Sequence, residues 1–269
     1  MSASAKGYHT MLSDVEQAGV LPALLHGLSI RGIEATNSLA ALWRPWPLQM
    51  GKVAIAALSL PALDVLLGDI TPASLHPAIP ARVVRSRQLS FLAGRLCAEQ
   101  ALASLHMHGA VVGCDAAGMP RWPDGVTGAI THSPDLAAAV VAFSAEPGEL
   151  GLDCEPLATG DQLDSILAVC CTAADRAYLP REALSAVATL IFSAKEAGYK
   201  AMSYRLGRVV DFTEFEVCLL ERDAGRLWLA PASRSEWQHR VQPFEVNFAF
   251  AAGSVYTSVD LRGRGWWTP

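Results

Sequence analysis

An α+β fold in two halves of similar size is what this 269-residue chain predicts, and three observations predict it. Strand-like runs, a long helical pattern, strands, helices and strands follow one another, an order that suits segregated α+β layers better than an alternating βαβ sheet. The connections between strand-like runs are short, as antiparallel pairing allows. A turn signal, Glu146-Pro147-Gly148-Glu149, falls near the middle and divides the chain into residues 1–146 and 147–269.

Residues 1–80 mix short apolar runs, Gly19 to Leu28 and Val53 to Leu60, with turn clusters at Arg44-Pro45-Trp46-Pro47 and His76-Pro77, and read as short strands and loops. From Ala81 the residues Arg82, Val83, Arg85, Arg87, Leu89, Phe91, Leu92, Arg95, Leu96, Ala101, Leu102 and Leu105 recur at helical spacing, with a stop expected at Gly109. The Gly118 to Gly125 segment is rich in Gly and Pro. Gly128 to Ser133, Leu136 to Phe143 and Leu150 to Glu155 have strand character and short links, so an antiparallel meander of the three is expected. Helical patterns return at Leu163 to Ala177 and Arg181 to Tyr204. Strands are expected at Phe212 to Leu220, Leu227 to Ala230, Val246 to Ala251 and Ser254 to Val259.

Composition bounds the function. Hydrophobic residues make up 51% and charged residues 17%, against about 25% charged in ordinary domains, so a compact core is expected and disorder is not. A net charge of −5 argues against a general nucleic-acid binder held by phosphate neutralisation. The longest apolar stretch, Val53 to Gly68, is interrupted by Pro61 and Asp64 and falls short of the roughly 20 residues that cross a bilayer. No basic start followed by an apolar block opens the chain, and six cysteines show neither a CxxC pair nor a zinc spacing with His. A cytoplasmic protein with reduced thiols is the expectation, without a membrane or nucleic-acid partner.

Four groups of residues carry chemistry. Asp153 and Glu155 stand two apart in a strand and so project to one face. Paired carboxylates of this kind are half of a divalent-cation site, though two solvated acids at a strand end look the same. Glu196 and Lys200 are four apart on a helix, where they could equally form an ordinary surface ion pair. Only four lysines occur in the chain, and Lys195 and Lys200 are two of them, which makes that bland reading less economical. Thr131-His132-Ser133 offers a compact set of phosphate-compatible donors, or a structural histidine. Arg87 and Arg95 lie about 80° apart around one helix and could grip a phosphate from the same side. Between Ala81 and Arg121, five arginines face only Glu99 and Asp115.

Taken in order, Gly94-Arg95-Leu96-Cys97-Ala98, Gly118-x-Pro120-x-Trp122-Pro123-x-Gly125, Thr131-His132-Ser133, Gly151-Leu152-Asp153-x-Glu155 and Phe192-Ser193-Ala194-Lys195-Glu196-Ala197-x-Tyr199-Lys200-Ala201 closely resemble the 4′-phosphopantetheinyl transferase superfamily. The likeness is to its larger monomeric class, the branch typified by enterobactin synthetase component D, and runs from about Leu75 to Ala201. It implies a pseudo-dimer of two α+β halves with the active site at their interface. It also implies a reaction: a serine of an apo acyl or peptidyl carrier protein attacks the β-phosphorus of coenzyme A, and adenosine 3′,5′-bisphosphate leaves.

By the same resemblance Asp153, Glu155 and Glu196 are the ligands of Mg²⁺, with Mn²⁺ as a substitute. Glu196 is the general base, directly or through a water on the metal, Lys200 reaches the pyrophosphate, and Asp153 is counted with them as catalytic. Arg87, Arg95, Thr131 and His132 meet the 3′-phosphate of coenzyme A, and Gly118, Met119 and Pro120 pass near the adenine. The first half thus takes the nucleotide and the second the metal. Lys195 projects about 100° away from Glu196 and is assigned to a carrier-facing rim.

Two positions depart from relatives, which often have a third acid at Cys154 and a basic residue at Ala117; Arg121 is the substitute for the latter. Carrier docking is assigned to Leu206 to Val210 with Arg205 and Arg208. The pathway served, whether siderophore, polyketide or nonribosomal peptide, is open. The same carboxylates would also serve a Mg²⁺-dependent nucleotide pyrophosphate hydrolase or a non-catalytic coenzyme A-binding scaffold.

Overall fold

The computed structural model describes residues 41–76, 78–79, 81–115, 118–146 and 148–268. The expected run at Gly19 to Leu28, and the departure at Ala117, lie outside the described residues. Two antiparallel sheets dominate. In the first, β1 (Trp43–Arg44), β2 (Ala54–Ser59), β5 (Val126–His132) and β6 (Leu136–Phe143) are ordered β1-β2-β6-β5. In the second, β7 (Leu150–Pro156), β8 (Phe215–Glu221), β9 (Arg226–Pro231), β10 (Phe244–Ala251) and β11 (Ser254–Asp260) are ordered β7-β11-β10-β9-β8. A small hairpin of β3 (Gly113–Cys114) and β4 (Pro120–Arg121) stands apart. The α+β class and the arrangement in two halves agree with the sequence.

The expected three-strand meander does not form. β5 and β6 pair, but β7 pairs with β11. The link after β6 includes Gly148 at φ 84 and Glu149 at φ 73, and Glu149 donates its N–H to Ala201 O at 2.6 Å. That turn carries the chain out of the first sheet and into the second.

β6 shows how the halves meet. Its sequence is apolar throughout, as a strand covered on both faces requires. Ala137, Ala139 and Val141 pack with Leu92, Leu96 and Leu102 of helix α2 (Arg85–Ser104), while Ala138, Val140 and Ala142 face Leu150, Leu152 and Cys154 of β7. The interface between halves is therefore a dry core, each fully buried leucine contributing about 1.5–3 kcal/mol. The second half packs its inner sheet face, with Leu227, Val246 and Val255, against helix α5 (Leu184–Leu206).

Three helix boundaries differ from the sequence expectation. Val53 to Leu60 does not end in a loop: Ser59 accepts from Ala62 N at 3.3 Å and caps α1 (Leu60–Leu67), with Pro61 at its first turn, where proline is tolerated. Helix α2 stops at Ser104, five residues short of Gly109, because the chain turns at His106, φ 61. The single helix expected over Leu163 to Ala177 is two, α3 (Gly160–Val169) and α4 (Ala173–Arg176), separated by a capping box between Thr172 and Asp175. Helix α5 ends on Gly207 in the left-handed region, φ 66.

Two glycines let helices lie close against strands. A Cβ on Gly94 of α2 would lie 2.8 Å from Ile130 Cγ2 of β5, and one on Gly151 of β7 would lie 1.9 Å from the carbonyl oxygen of Ala197 in α5. The second clash is with backbone, so no side-chain adjustment relieves it. Gly151→Ala is expected to push α5 off β7 and lower turnover about 100-fold, the usual penalty for misplacing reacting groups by about 1 Å. Initial-rate assays of the folded variant check this, and near-normal turnover would contradict it.

Candidate active site

Edge strands β5 and β7 run side by side along the seam between the sheets, tied at one end by the Thr127 hydroxyl donating to Gly148 O. At the other end Thr131 of β5 meets Asp153 of β7, and α5 lies across them, held close by Gly151. Thr131 Oγ1 donates to Asp153 Oδ1 at 3.0 Å. Lys200 Nζ donates to the same Oδ1 at 2.6 Å, to Thr131 Oγ1 at 3.1 Å and to Leu152 O at 3.1 Å. Asp153 is only 2% exposed, and its Oδ2 is buried with no hydrogen-bond partner.

Glu155 and Glu196 stand close enough to Asp153 to be perturbed by it. Burial pushes the Glu155 carboxyl up to about 7; the Asp153 charge adds to the rise, Lys200 opposes it and Glu196 adds again. The Glu196 carboxyl is raised by burial, lowered by Lys200 and raised by Asp153. Three acids thus repel one another around one ammonium. Among the described residues no three His, Cys, Asp or Glu side chains already stand in coordinating array. The donor set nonetheless fits a hard divalent cation: carboxylate oxygens, one of them orphaned and buried.

This arrangement has a sign in pH. Glu155 is more basic folded than unfolded, so the folded protein binds the extra proton and stability falls as pH rises from about 4.5 to about 7. Glu155→Gln without divalent cation is expected to melt higher than the wild type at about pH 7.5, an advantage that fades by about pH 5. Thermal melts across that range check it; a pH-independent difference would refute it. His132 contributes the opposite slope, its pKa lowered by burial and by Lys200 and Arg87, and the comparison with Glu155→Gln cancels it.

The residues that the resemblance assigns to the nucleotide lie on α2, at the end of β5 and in the β3–β4 hairpin. Arg87, Phe91 and Arg95 form one stripe of α2. Arg87 is exposed and close enough to His132, at the end of β5, to lower its pKa. Arg95 is buried: its guanidinium lies over the Phe91 ring at 4.7 Å, Nη2 donates to Cys114 Sγ at 2.8 Å, and Nε has no partner. Gly118, at φ 83, turns the β3–β4 hairpin, where Met119 N donates to Asp115 Oδ1 at 2.8 Å and Pro120 begins β4. Arg121 on β4 is exposed, and Cys154 faces the inter-half core. Beside Glu196, a cavity of about 190 Å³ is walled by Tyr199, Met202, Phe212, Phe215 and Phe244.

One expectation is corrected, and another gains detail. Lys195 does not line a rim: it is 4% exposed, and Nζ donates to Asp175 Oδ2 at 2.6 Å, Cys170 O at 2.8 Å and Phe212 O at 2.9 Å. Burial on the far side of α5 is where its 100° offset from Glu196 leads once α3 and α4 cover that face. The basic patch at Arg205 and Arg208 is already neutralised, by Glu146 at 3.2 Å and by Glu214 at 2.7 Å together with Glu236.

Sequence reasoning gave Thr131 to the 3′-phosphate, whereas its buried hydroxyl belongs to the acid cluster, and it missed the Leu152 carbonyl. The Thr131 hydroxyl is engaged with Asp153 and Lys200, and the Leu152 carbonyl orients Lys200. Gly151 carried a signal, since glycine inside an apolar strand marks close approach of another backbone.

Two family models match segments of the chain, and several known proteins resemble it. The family model described as 4′-phosphopantetheinyl transferase N-terminal domain matches residues 76–142, and that of the 4′-phosphopantetheinyl transferase superfamily matches residues 149–253. The chain is 33% identical over 187 residues to 4′-phosphopantetheinyl transferase Svp of Streptomyces mobaraensis, covering 67% of this chain and 75% of that one. It is 31% identical over 199 residues to Npt of Nocardia iowensis, 68% and 88%, and 30% identical over 167 residues to enterobactin synthase component D of Salmonella typhi, 58% and 69%.

Proposed function

The chain belongs to the 4′-phosphopantetheinyl transferase superfamily, and from that premise we propose that it moves 4′-phosphopantetheine from coenzyme A to a serine hydroxyl of an apo acyl or peptidyl carrier protein. The observation that carries the reading is the buried Asp153 carboxylate with its unpartnered Oδ2, bound to Lys200 and flanked by Glu155 and Glu196 at the seam.

Asp153, Glu155 and Glu196 would hold the divalent cation, Mg²⁺ or in its place Mn²⁺. When bound, that ion supplies charge neutralisation at the pyrophosphate. Glu196, half-buried and more basic than an ordinary carboxylate, suits a general base that takes the serine proton as its oxygen bonds to the β-phosphorus. The bond from that phosphorus to the bridging oxygen breaks, and adenosine 3′,5′-bisphosphate departs. Lys200, half-buried, is the cation within reach of the leaving phosphate. Arg87, Arg95 and His132 form the rim for the 3′-phosphate; the free Nε of Arg95 supports that role. Gly118, Met119 and Pro120 present backbone to the adenine, and the apolar cavity beside Glu196 suits part of the pantetheine arm.

Attack by a carrier serine, rather than by water, makes release of adenosine 3′,5′-bisphosphate depend on the carrier. Incubation of coenzyme A and Mg²⁺ with the enzyme is expected to release it only when apo carrier is added. Chelation with EDTA should abolish release, and Mg²⁺ or Mn²⁺ should restore it. Comparable release without carrier would instead identify a hydrolase.

A further inference from the structure

Lys200 sits where the surrounding chemistry calls for a cation. An ammonium has three protons to donate, and here all three have acceptors inside the protein: Asp153 Oδ1, Thr131 Oγ1 and Leu152 O. Thr131, 3% exposed, donates its own proton to the same Asp153 Oδ1, so its lone pair is what faces Lys200. The lysine, carried by α5, is held by residues of two strands, β5 and β7, and none of its protons is directed at a ligand.

One Asp153 oxygen therefore has an internal cation while the other is buried and unpartnered. A divalent cation on that carboxylate would share it with the ammonium, and like charges so close in a partly desolvated site repel strongly. A pyrophosphate reverses the balance. Its oxygens are charged acceptors that can take the lysine protons from Asp153, Thr131 and Leu152, and its negative charge offsets both cations. Asp153 Oδ1 is then relieved of its counter-ion.

We propose that Lys200 is a built-in counter-ion that opposes divalent-cation binding at Asp153 until a pyrophosphate-bearing ligand draws it away, so that coenzyme A and the metal bind with positive coupling. The inference rests on the reading of the three acids given under the proposed function. Linkage makes the coupling reciprocal: the factor by which coenzyme A tightens the metal is the factor by which the metal tightens coenzyme A. Lys200 thereby keeps the acid cluster compact before ligands arrive, and the cleft takes its two ligands together.

Calorimetric titration with Mn²⁺ alone, with Mn²⁺ plus coenzyme A, and with Mn²⁺ plus adenosine 3′,5′-bisphosphate, which lacks the pyrophosphate, tests this. In the wild type, coenzyme A should tighten Mn²⁺ about tenfold or more and the bisphosphate much less. Lys200→Met should bind Mn²⁺ alone about tenfold more tightly than the wild type and lose most of the effect of coenzyme A, whereas Lys200→Arg, which keeps the charge, should retain the wild-type pattern. Thr131→Val, which leaves the lysine but removes one of its acceptors and one donor to Asp153 Oδ1, should fall between, and stands in if Lys200→Met fails to fold. Equal or weaker binding of Mn²⁺ alone to folded Lys200→Met or Thr131→Val would overturn the counter-ion role while leaving the metal reading intact. No binding to the wild type even with saturating coenzyme A would overturn both.

Discussion

Asp153→Asn is expected to lower carrier phosphopantetheinylation about 1,000-fold while leaving the protein folded. The substitution keeps the shape of the side chain and an oxygen that can accept from Lys200 and Thr131, in place of the bonds now at 2.6 Å and 3.0 Å. It removes the charge, and with it the buried oxygen that has no partner. Loss of one preorganised group that stabilises developing charge costs about 10²–10³ in rate, and a lost metal ligand adds to that. Lys200, left without its anion, remains half-buried and able to reach solvent, so the melting temperature should change little. Single-turnover rates with saturating coenzyme A and carrier, set beside a thermal melt, check both halves of the expectation. More than a tenth of wild-type activity would contradict it.

Lys195→Met is expected to act in the opposite way, on stability first. The ammonium is 2% and its Asp175 partner 0% exposed in side chain, at 2.6 Å. Asp175 also accepts from Thr172 N and Val217 N at 2.8 Å each, and Lys195 also reaches the carbonyls of Cys170 and Phe212. The pair therefore fastens α5 to α3, α4 and the start of β8. Removing one partner of such a pair strands a buried charge and costs about 3–5 kcal/mol, which for a chain of this size is roughly 10 °C in melting temperature. The double variant Lys195→Met with Asp175→Leu, which buries no charge, should recover part of the loss. A melting temperature within about 2 °C of wild type for the single variant would show that the pair contributes little.

Adjacent residues on one helix thus have unrelated tasks. Lys195 and Glu196 follow each other in sequence, yet one is buried against α3 and α4 and the other faces the seam. Sequence alone could place them 100° apart. It could not say which direction was protein and which was solvent, because that depends on where α3 and α4 fold back. The acids and Lys200 were legible as candidates from the two-residue strand spacing and the four-residue helix spacing. Their convergence was not, since it needs β7 to leave the first sheet, pair with β11 and receive α5 across Gly151. Strand β6 was read with its observed ends because an unbroken apolar run has little freedom in a two-layer core. Helix α1 was missed because Pro61 was taken as an interruption, whereas at the first turn of a helix it interrupts nothing. The ion pairs of the basic patch were hidden for a related reason: Glu146, Glu214 and Glu236, distant in sequence, come back to Arg205 and Arg208.

The central claim, transfer of phosphopantetheine to a carrier serine by the acid cluster at the seam, is tested most directly by intact mass spectrometry. A panel of apo carrier proteins from fatty-acid, polyketide, nonribosomal-peptide and siderophore systems would be incubated with the enzyme, coenzyme A and Mg²⁺. The predicted result is a single phosphopantetheine mass increase on the carrier serine of at least one member, lost with Asp153→Asn and lost when that serine is replaced. An unmodified panel, with adenosine 3′,5′-bisphosphate released whether or not carrier is present, would contradict it.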